Sequence, residues 1–212
     1  MKEICGASGK ELSGAVKANY IEVLSILKEQ RGILKILEFG SGTGRFAKLM
    51  SNQGHKVTAS DFIPEQCEVN CKKIDLRRDV NTKEKYDCII VLEVIEHLPN
   101  PTLLFENAYK CLKNNGLLIV STPNVQSWYS RLIFLLTGKL HTFNWNYRKA
   151  DFNHLHPIFQ KQVTLMAEGL FKIKEIRYNR SIIPRLKWLM PFKNRILSQN
   201  CIYVLRKINS SQ

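Results

Sequence analysis

Ile36-Leu37-Glu38-Phe39-Gly40-Ser41-Gly42-Thr43-Gly44 is the stretch on which the reading of this chain turns. A short apolar run, Ile33 to Phe39, ends in three glycines at alternate positions, and Gly44 to Asn52 then reads as a helix. Strand, glycine turn and helix in that order bring free backbone N–H groups to the carboxyl end of a strand, where an α/β sheet binds nucleotide-like ligands. Position 45 is Arg, so the dinucleotide fingerprint G-x-G-x-x-G is not completed, and no Gly-Lys-Ser/Thr follows to make a phosphate loop. Asp61 closes the next apolar run, 21 residues after Gly40, a position from which a carboxylate reaches both hydroxyls of a ribose.

Working outward, residues 11–30 carry apolar side chains at three- and four-residue spacing and predict an amphipathic helix after a loose lead-in over residues 1–10. His55 to Ser60 and Cys71 to Leu76 read as a second and a third strand, and Tyr86 to Glu93 as the central one. Pro101 to Leu112 reads as a helix closed by Asn115-Gly116, and Leu117 to Thr122 as a fifth strand. Gln160 to Gly169 reads as a helix, followed by closing strands at Phe171 to Tyr178 and Asn200 to Arg206. Strands alternating with helices predict a parallel sheet covered on both faces.

Glu38 to Gly44 resembles the first motif, E/D-x-G-x-G-x-G, of the class I S-adenosylmethionine methyltransferases. Tyr86-Asp87-Cys88-Ile89-Ile90 is similar to that family's fourth-strand motif. Leu112-Lys113-Asn114-Asn115-Gly116-Leu117-Leu118 resembles its Leu-Lys-Pro-Gly-Gly turn, with Asn114-Asn115 in place of Pro-Gly. Ser121-Thr122-Pro123-Asn124 and Gly169-Leu170-Phe171 fit the same order. The resemblance implies a Rossmann-like three-layer α/β sandwich with a mostly parallel seven-stranded sheet and an antiparallel final strand. It implies one methyltransferase domain over residues 1–212, with a helical lead-in at 1–31 and substrate-cover inserts at 125–158 and 179–199. It assigns Glu38, Gly40, Ser41, Gly42 and Gly44 to the methionine end of S-adenosylmethionine, Asp61 to the ribose, and Phe62, Asp75 and Leu76 to the surroundings of the adenine. Leu92, at the end of the fourth strand, joins that cofactor set. For Asp75 a solvated turn is an equal alternative.

Glu93-Val94-Ile95-Glu96-His97-Leu98-Pro99 directly follows the central strand. Glu93, Glu96 and His97 stand at i, i+3 and i+4, and a helical turn would put them on one side. Two carboxylates and an imidazole can hold Mg2+ or Mn2+, or His97 can act as a general base oriented by a carboxylate; a structural role is the third alternative. Glu-x-x-Glu-His resembles two methyltransferase branches, the ubiquinone-type O-methyltransferases and the small-RNA 3′-terminal 2′-O-methyltransferases, and it also occurs in glycan-modifying relatives. In the RNA branch a further histidine sits downstream, and Asp151-Phe152-Asn153-His154-Leu155-His156 could supply one here.

Charge narrows the partners. Residues 131–212 carry 15 Lys and Arg against 3 Asp and Glu, so most of the net +14 lies there. Such a half suits an anionic partner: acidic lipid head groups, nucleic acid or a phosphorylated substrate. Ser127 to Leu136 and Ile182 to Leu197 mix aromatic, aliphatic and basic residues, as a lid over a lipid-linked acceptor or an interfacial segment would; packing of a helical cap is the plainer alternative. The six cysteines form no Cys-x-x-Cys pair and predict free thiols. The N-terminus resembles no signal peptide, so the expected place is the cytoplasm or the inner face of the membrane. The expected activity is O-methylation of a small-molecule, glycan or lipid-linked acceptor, with metal-dependent RNA 2′-O-methylation and a non-catalytic binding or scaffold domain as alternatives.

Overall fold

The computed structural model describes residues 14–143, 154–179, 181–183, 188–190 and 192–209. The lead-in at 1–10, Cys5, Asp151 to Asn153, Arg185 and Lys187 lie outside the described residues. Five strands come first along the chain: β1 (Lys35–Phe39), β2 (Lys56–Asp61), β3 (Cys71–Lys73), β4 (Tyr86–Leu92) and β5 (Leu112–Pro123). They are joined by α1 (Gly14–Lys28) ahead of β1, α2 (Arg45–Asn52) and α3 (Pro101–Cys111). Then follow α4 (Trp128–Thr137), α5 (Gln160–Ala167), β6 (Phe171–Tyr178), a small hairpin of β7 (Ser181–Ile183) and β8 (Trp188–Met190), and β9 (Asn200–Lys207).

The main sheet has seven strands in the order β3-β2-β1-β4-β5-β9-β6. β1 pairs in parallel with β2 and β4, β2 with β3, and β4 with β5, while β9 runs antiparallel between β5 and β6. The expected three-layer sandwich with an antiparallel final strand is therefore observed. Its two cores follow from strand alternation. Ile89 and Val91 of β4 join Leu37, Phe39, Leu118 and Val120 on one face, under Leu104, Phe105 and Ala108 of α3 and Val163 of α5. Cys88 and Ile90 join Ile36, Leu117 and Ile119 on the other, under Val23, Ile26 and Leu27 of α1 and Phe46 and Met50 of α2. Chain order reverses between β1 and β4, the switch point at which such sheets bind ligands.

Three boundaries differ from expectation for local reasons. β3 stops at Lys73, so Asp75 and Leu76 lie on the loop beyond it. β5 begins at Leu112 because Leu112 pairs with Tyr86 before a register shift, so Asn115, with φ +57°, and Gly116 lie in an irregular stretch of that strand rather than closing a helix. Glu93 to His97 does not form the expected helical turn: Glu93 has φ +56°, and only Ile95–His97 forms a short 3-10 turn. A left-handed Glu93 breaks the i, i+3, i+4 geometry before it starts.

The end of α3 is capped from the far end of the chain. The ammonium of Lys207 donates to the carbonyls of Tyr109 at 2.7 Å and Leu112 at 2.8 Å, and lies 4.2 Å from the Tyr109 ring centroid. A cation there answers the unpaired carbonyls and the negative end of the helix dipole. Lys207→Met keeps the stem but leaves two buried acceptors unanswered, and we expect a loss of about 2 kcal/mol in unfolding free energy, read from urea denaturation at pH 7; an unchanged midpoint would refute the capping role.

Candidate functional site

The glycine turn after β1 is held from β2. Ser41 N–H donates to the Ser60 carbonyl at 2.9 Å, and Gly42 N–H donates to Asp61 Oδ2 at 2.8 Å. Asp61 Oδ1 accepts from Ile63 N–H at 2.9 Å, so both carboxylate oxygens are oriented by backbone while their remaining lone pairs stay available. Gly40, Gly42 and Gly44 all have positive φ. At Gly40 a Cβ would meet Val94 Cγ2 at 2.4 Å, and at Gly44 it would meet Val69 and Cys67 below 3 Å. These two positions require glycine both for conformation and for room.

Glu38 stands where β1 enters this turn and is almost fully buried, at 3% exposure. Burial raises its carboxyl from the ordinary 4.5 to about 7, with hydrogen bonds from Ser41 and the Ala47 backbone pulling the other way and the charge of Asp61 adding to the rise. Glu38 Oε2 has no hydrogen-bond partner. A buried carboxylate oxygen with no donor fits a cationic group such as an ammonium. Tyr20 of α1 is stacked on Phe46 of α2 with ring centroids 4.4 Å apart; burial raises its phenol, and the nearby Glu38 charge adds to the rise.

On the other side of Asp61, Phe62 is half-exposed and the Arg77 guanidinium lies 4.0 Å from its ring centroid. Asp75 accepts from Arg77 Nε at 2.9 Å, from a terminal guanidinium nitrogen at 3.1 Å and from the Arg77 backbone at 3.0 Å, which holds its carboxyl below the usual range. Leu76 is buried in the first core, and Leu92 is half-buried at the end of β4. Arg77 was not singled out by the sequence; an arginine two residues after an acidic loop residue is too common a pattern to stand out.

After β4 the three residues of the Glu-x-x-Glu-His segment part company. The Glu93 carboxylate enters a buried polar network: Oε1 accepts from Ser121 Oγ at 2.7 Å and Asn19 Nδ2 at 3.2 Å, and Asn200 adds a further bond. Asn179 ties Asn19 and Asn200 together through its amide at 3.0 and 3.1 Å. Glu96 is fully buried; Oε2 accepts from Thr122 Oγ1 at 3.2 Å and Oε1 has no partner. Burial first, and the Glu93 charge second, push Glu96 well above the ordinary carboxyl range. His97 meets His154 edge to face, with ring centroids 4.7 Å apart, and Phe143 backs His154 at 5.2 Å. The Glu96 carbonyl accepts from the backbones of Leu155 at 2.7 Å and His156 at 3.1 Å, which brings the downstream histidine segment to this turn. Among the described residues, the cluster whose ligand-type atoms all lie within 4.8 Å of one another is Glu96, His97 and His154, without Glu93. Burial, with the charge of His97, lowers His154 to about 4, so it is a neutral donor-acceptor at neutral pH.

Comparison with known proteins gives three kinds of match. The family model described as "Methyltransferase domain" matches residues 10–168. Among curated proteins, the chain is similar to a ubiquinone biosynthesis O-methyltransferase of Rickettsia typhi, 34% identical over 102 residues, covering 43% of this chain and 42% of that one. It is also similar to the protein of the same name in Pelagibacter ubique, 25% identical over 143 residues, covering 61% and 59%. The chain thus spans about half the length of the curated relatives it matches. Among solved structures, a SAM dependent methyltransferase from Archaeoglobus fulgidus superposes with a TM-score of 0.65 at 17% identity, covering 92% of this chain and 95% of that one. The N-methyltransferase NodS from Bradyrhizobium japonicum, in complex with S-adenosyl-L-homocysteine, superposes with a TM-score of 0.61 at 14% identity, covering 98% and 96%. These two share the fold.

The raised carboxyl of Glu38 has a checkable sign. The folded protein binds a proton there that the unfolded chain releases near 4.5, so stability falls as pH rises from about 4.5 to about 7, by roughly 3 kcal/mol in all. Glu38→Gln is therefore expected to raise the melting temperature of the ligand-free protein more at pH 8 than at pH 5; a gain of equal size at both would show that the carboxyl titrates normally.

Proposed function

The chain belongs to the methyltransferase-domain family, and from that premise we propose that it is an S-adenosylmethionine-dependent methyltransferase that methylates an oxygen of a small-molecule acceptor. One observation carries the cofactor part: the orphaned, buried Glu38 Oε2 and the glycine turn stand side by side with the oriented Asp61. In this reading Glu38 and the turn from Gly40 through Ser41 and Gly42 to Gly44 hold the methionine end, and Asp61 holds the ribose hydroxyls. Phe62, Asp75, Leu76 and Leu92 border the adenosine, with Arg77 stiffening that side through Phe62 and Asp75. The bound cofactor supplies a methyl group on a sulfonium, an already activated electrophile. The protein's part is then mainly to position the acceptor and deal with its proton.

His97 is the residue proposed for that proton. It follows β4 directly, and its neighbour His154 stays neutral at neutral pH. Glu96 and Glu93 orient the turn, one from the Thr122 side and one through the Ser121 and Asn19 network. A second reading is favoured by the compact cluster of Glu96, His97 and His154: the three would hold Mg2+ or Mn2+, which would lower the pKa of an acceptor hydroxyl. The unpartnered Glu96 Oε1 and His154 Nδ1 fit that donor set.

The curated relatives are named for O-methylation in ubiquinone biosynthesis, which supports a small hydroxyl-bearing acceptor. A glycan or a lipid-linked acceptor is the finer form of the proposal, with the protein in the cytoplasm and peripheral to the inner face of the membrane. Residues 1–212 act in it as one domain, with 125–158 and 179–199 covering the acceptor. The relatives lend no support to RNA or scaffold functions.

The test is thermal stability with S-adenosylmethionine or S-adenosylhomocysteine, with and without Mg2+ or Mn2+. Saturating cofactor at a hundred times its dissociation constant should stabilise by about 2.7 kcal/mol, and no shift would overturn the reading. With an active acceptor in hand, His97→Ala should cut turnover by about 10²- to 10⁴-fold with cofactor affinity nearly intact. Loss of activity on chelation would favour the metal-assisted form, and unchanged turnover in His97→Ala would remove His97 from the chemistry.

A further inference from the structure

We propose that the outer face of α4, together with the loop at 192–196, is the surface by which this protein lies on an anionic lipid bilayer, the site opening beside it. The inference deepens the peripheral placement proposed above. It is independent of methyl transfer, because lipid binding can be read without any acceptor.

Among the described residues, helix α4 is tied to the rest of the chain by hydrogen bonds at its first turn. Ser127 caps it by accepting from Ser130 N–H at 3.3 Å, Trp128 N–H donates to the Ile196 carbonyl at 2.8 Å, and Ser130 is its one buried residue. Beyond Ser130 the helix is exposed except at half-buried Ile133. Leu135 is 80% exposed and Leu136 70%, with Leu132 and Phe134 exposed beside them. The neighbouring loop adds exposed Phe192 and Ile196, and Asn124 Nδ2 holds that loop through the Arg195 and Ser198 carbonyls at 2.7 and 2.8 Å. Single exposed leucines are ordinary; six large exposed apolar residues on one short helix and the loop hydrogen-bonded to it are more than scatter.

Charge chooses the occupant. Arg131 and Lys139 stand before and after the leucines, both exposed, and exposed Arg195 lies between Phe192 and Ile196 beside Lys193, which pairs with Glu22 of α1. The chain has no Asp or Glu from 107 to 150, nor from 176 to 212. A second copy on a twofold axis would set this cationic face against itself. An anionic bilayer answers both features: leucine and phenylalanine enter the head-group boundary while lysine and arginine remain at the phosphates. Ten residues of helix span about 15 Å, half a hydrocarbon core, so α4 lies in the surface and does not cross it. Among the described residues no helix is long and apolar enough to cross a membrane. The placement has a functional direction. α4 leaves from the carboxyl end of β5, two residues of which, Ser121 and Thr122, bond Glu93 and Glu96.

The test is co-sedimentation of the full chain with vesicles of phosphatidylcholine alone and with phosphatidylglycerol added, at low and high salt. Expected is retention on the anionic vesicles only, weakened by salt, and reduced at least tenfold in the double variant Leu135→Asp/Leu136→Asp and several-fold in Lys139→Glu. Both variants change exposed positions, and an unchanged melting temperature with an unchanged S-adenosylhomocysteine shift shows that fold and cofactor site are intact. Absence of wild-type binding, equal binding to neutral vesicles, or full binding by the double variant would each overturn the proposal. So would a wild-type dimer that the double variant makes monomeric without any lipid retention, since the face would then be a contact between copies. Failure of the cofactor shift in the wild type leaves the lipid result standing and strikes only the methyltransferase reading.

Discussion

Everything at the carboxyl edge of the sheet depends on the contact between Gly40 and Val94. These residues lie on the turns that follow two neighbouring strands, β1 and β4, and there is room between them for a hydrogen and not for a methyl: a Cβ on Gly40 would stand 2.4 Å from Val94 Cγ2. The close approach brings the turn that would hold a cofactor against the turn that carries Glu96 and His97. The sheet sets the two strands side by side through burial of both faces, which the hydrophobic effect secures without regard to chemistry. The absent side chain at position 40 then converts that adjacency into a shared site.

Electrostatics on this edge follow from the same packing. Three carboxyls, of Glu38, Glu93 and Glu96, are buried at strand ends, and burial raises each of them. Their partners differ, and so do their capacities. Glu93 is satisfied by hydroxyl and amide donors from α1, β5 and β9. Glu38 and Glu96 each retain an unpartnered oxygen, at the two ends of the proposed cofactor-to-acceptor line. Incompletely satisfied buried acceptors are expensive in a folded chain, and their cost is most simply understood as readiness for a ligand that completes them.

Much of this was legible in the sequence because apolar strands and glycine turns report on local physics. Ile36 to Gly44 gave strand, turn and helix start within a residue, since Gly44 caps α2 in the left-handed conformation. The mostly parallel seven-stranded sheet with an antiparallel final strand followed from the alternation of elements and the family resemblance. The rest is non-local. Asn19, Ser121, Asn179 and Asn200 are unremarkable polar residues until the fold brings α1, β5 and β9 to the same buried point. The left-handed backbone at Glu93 was hidden because a glutamate seldom adopts it, and it turned an expected helical triad into two separate sites. The histidine segment 154–156 was seen as a candidate, but only the pairing of its backbone with the Glu96 carbonyl brings His154 to His97.

The strained backbone of Glu93 bears on how this protein can change over generations. A left-handed non-glycine costs of order 1 kcal/mol and persists only where its surroundings over-determine it, here through Ser121, Asn19 and Asn200. Loss of any one partner leaves a buried carboxylate less satisfied while the strain remains, so a single replacement is costlier than its own contact. The effects of replacements within such a contact set are not additive. These positions, scattered from the first helix to the last strand, form one heritable unit: drift at one constrains what is tolerated at the others. The turn that carries His97 is therefore sheltered from gradual substitution by residues that never meet the acceptor.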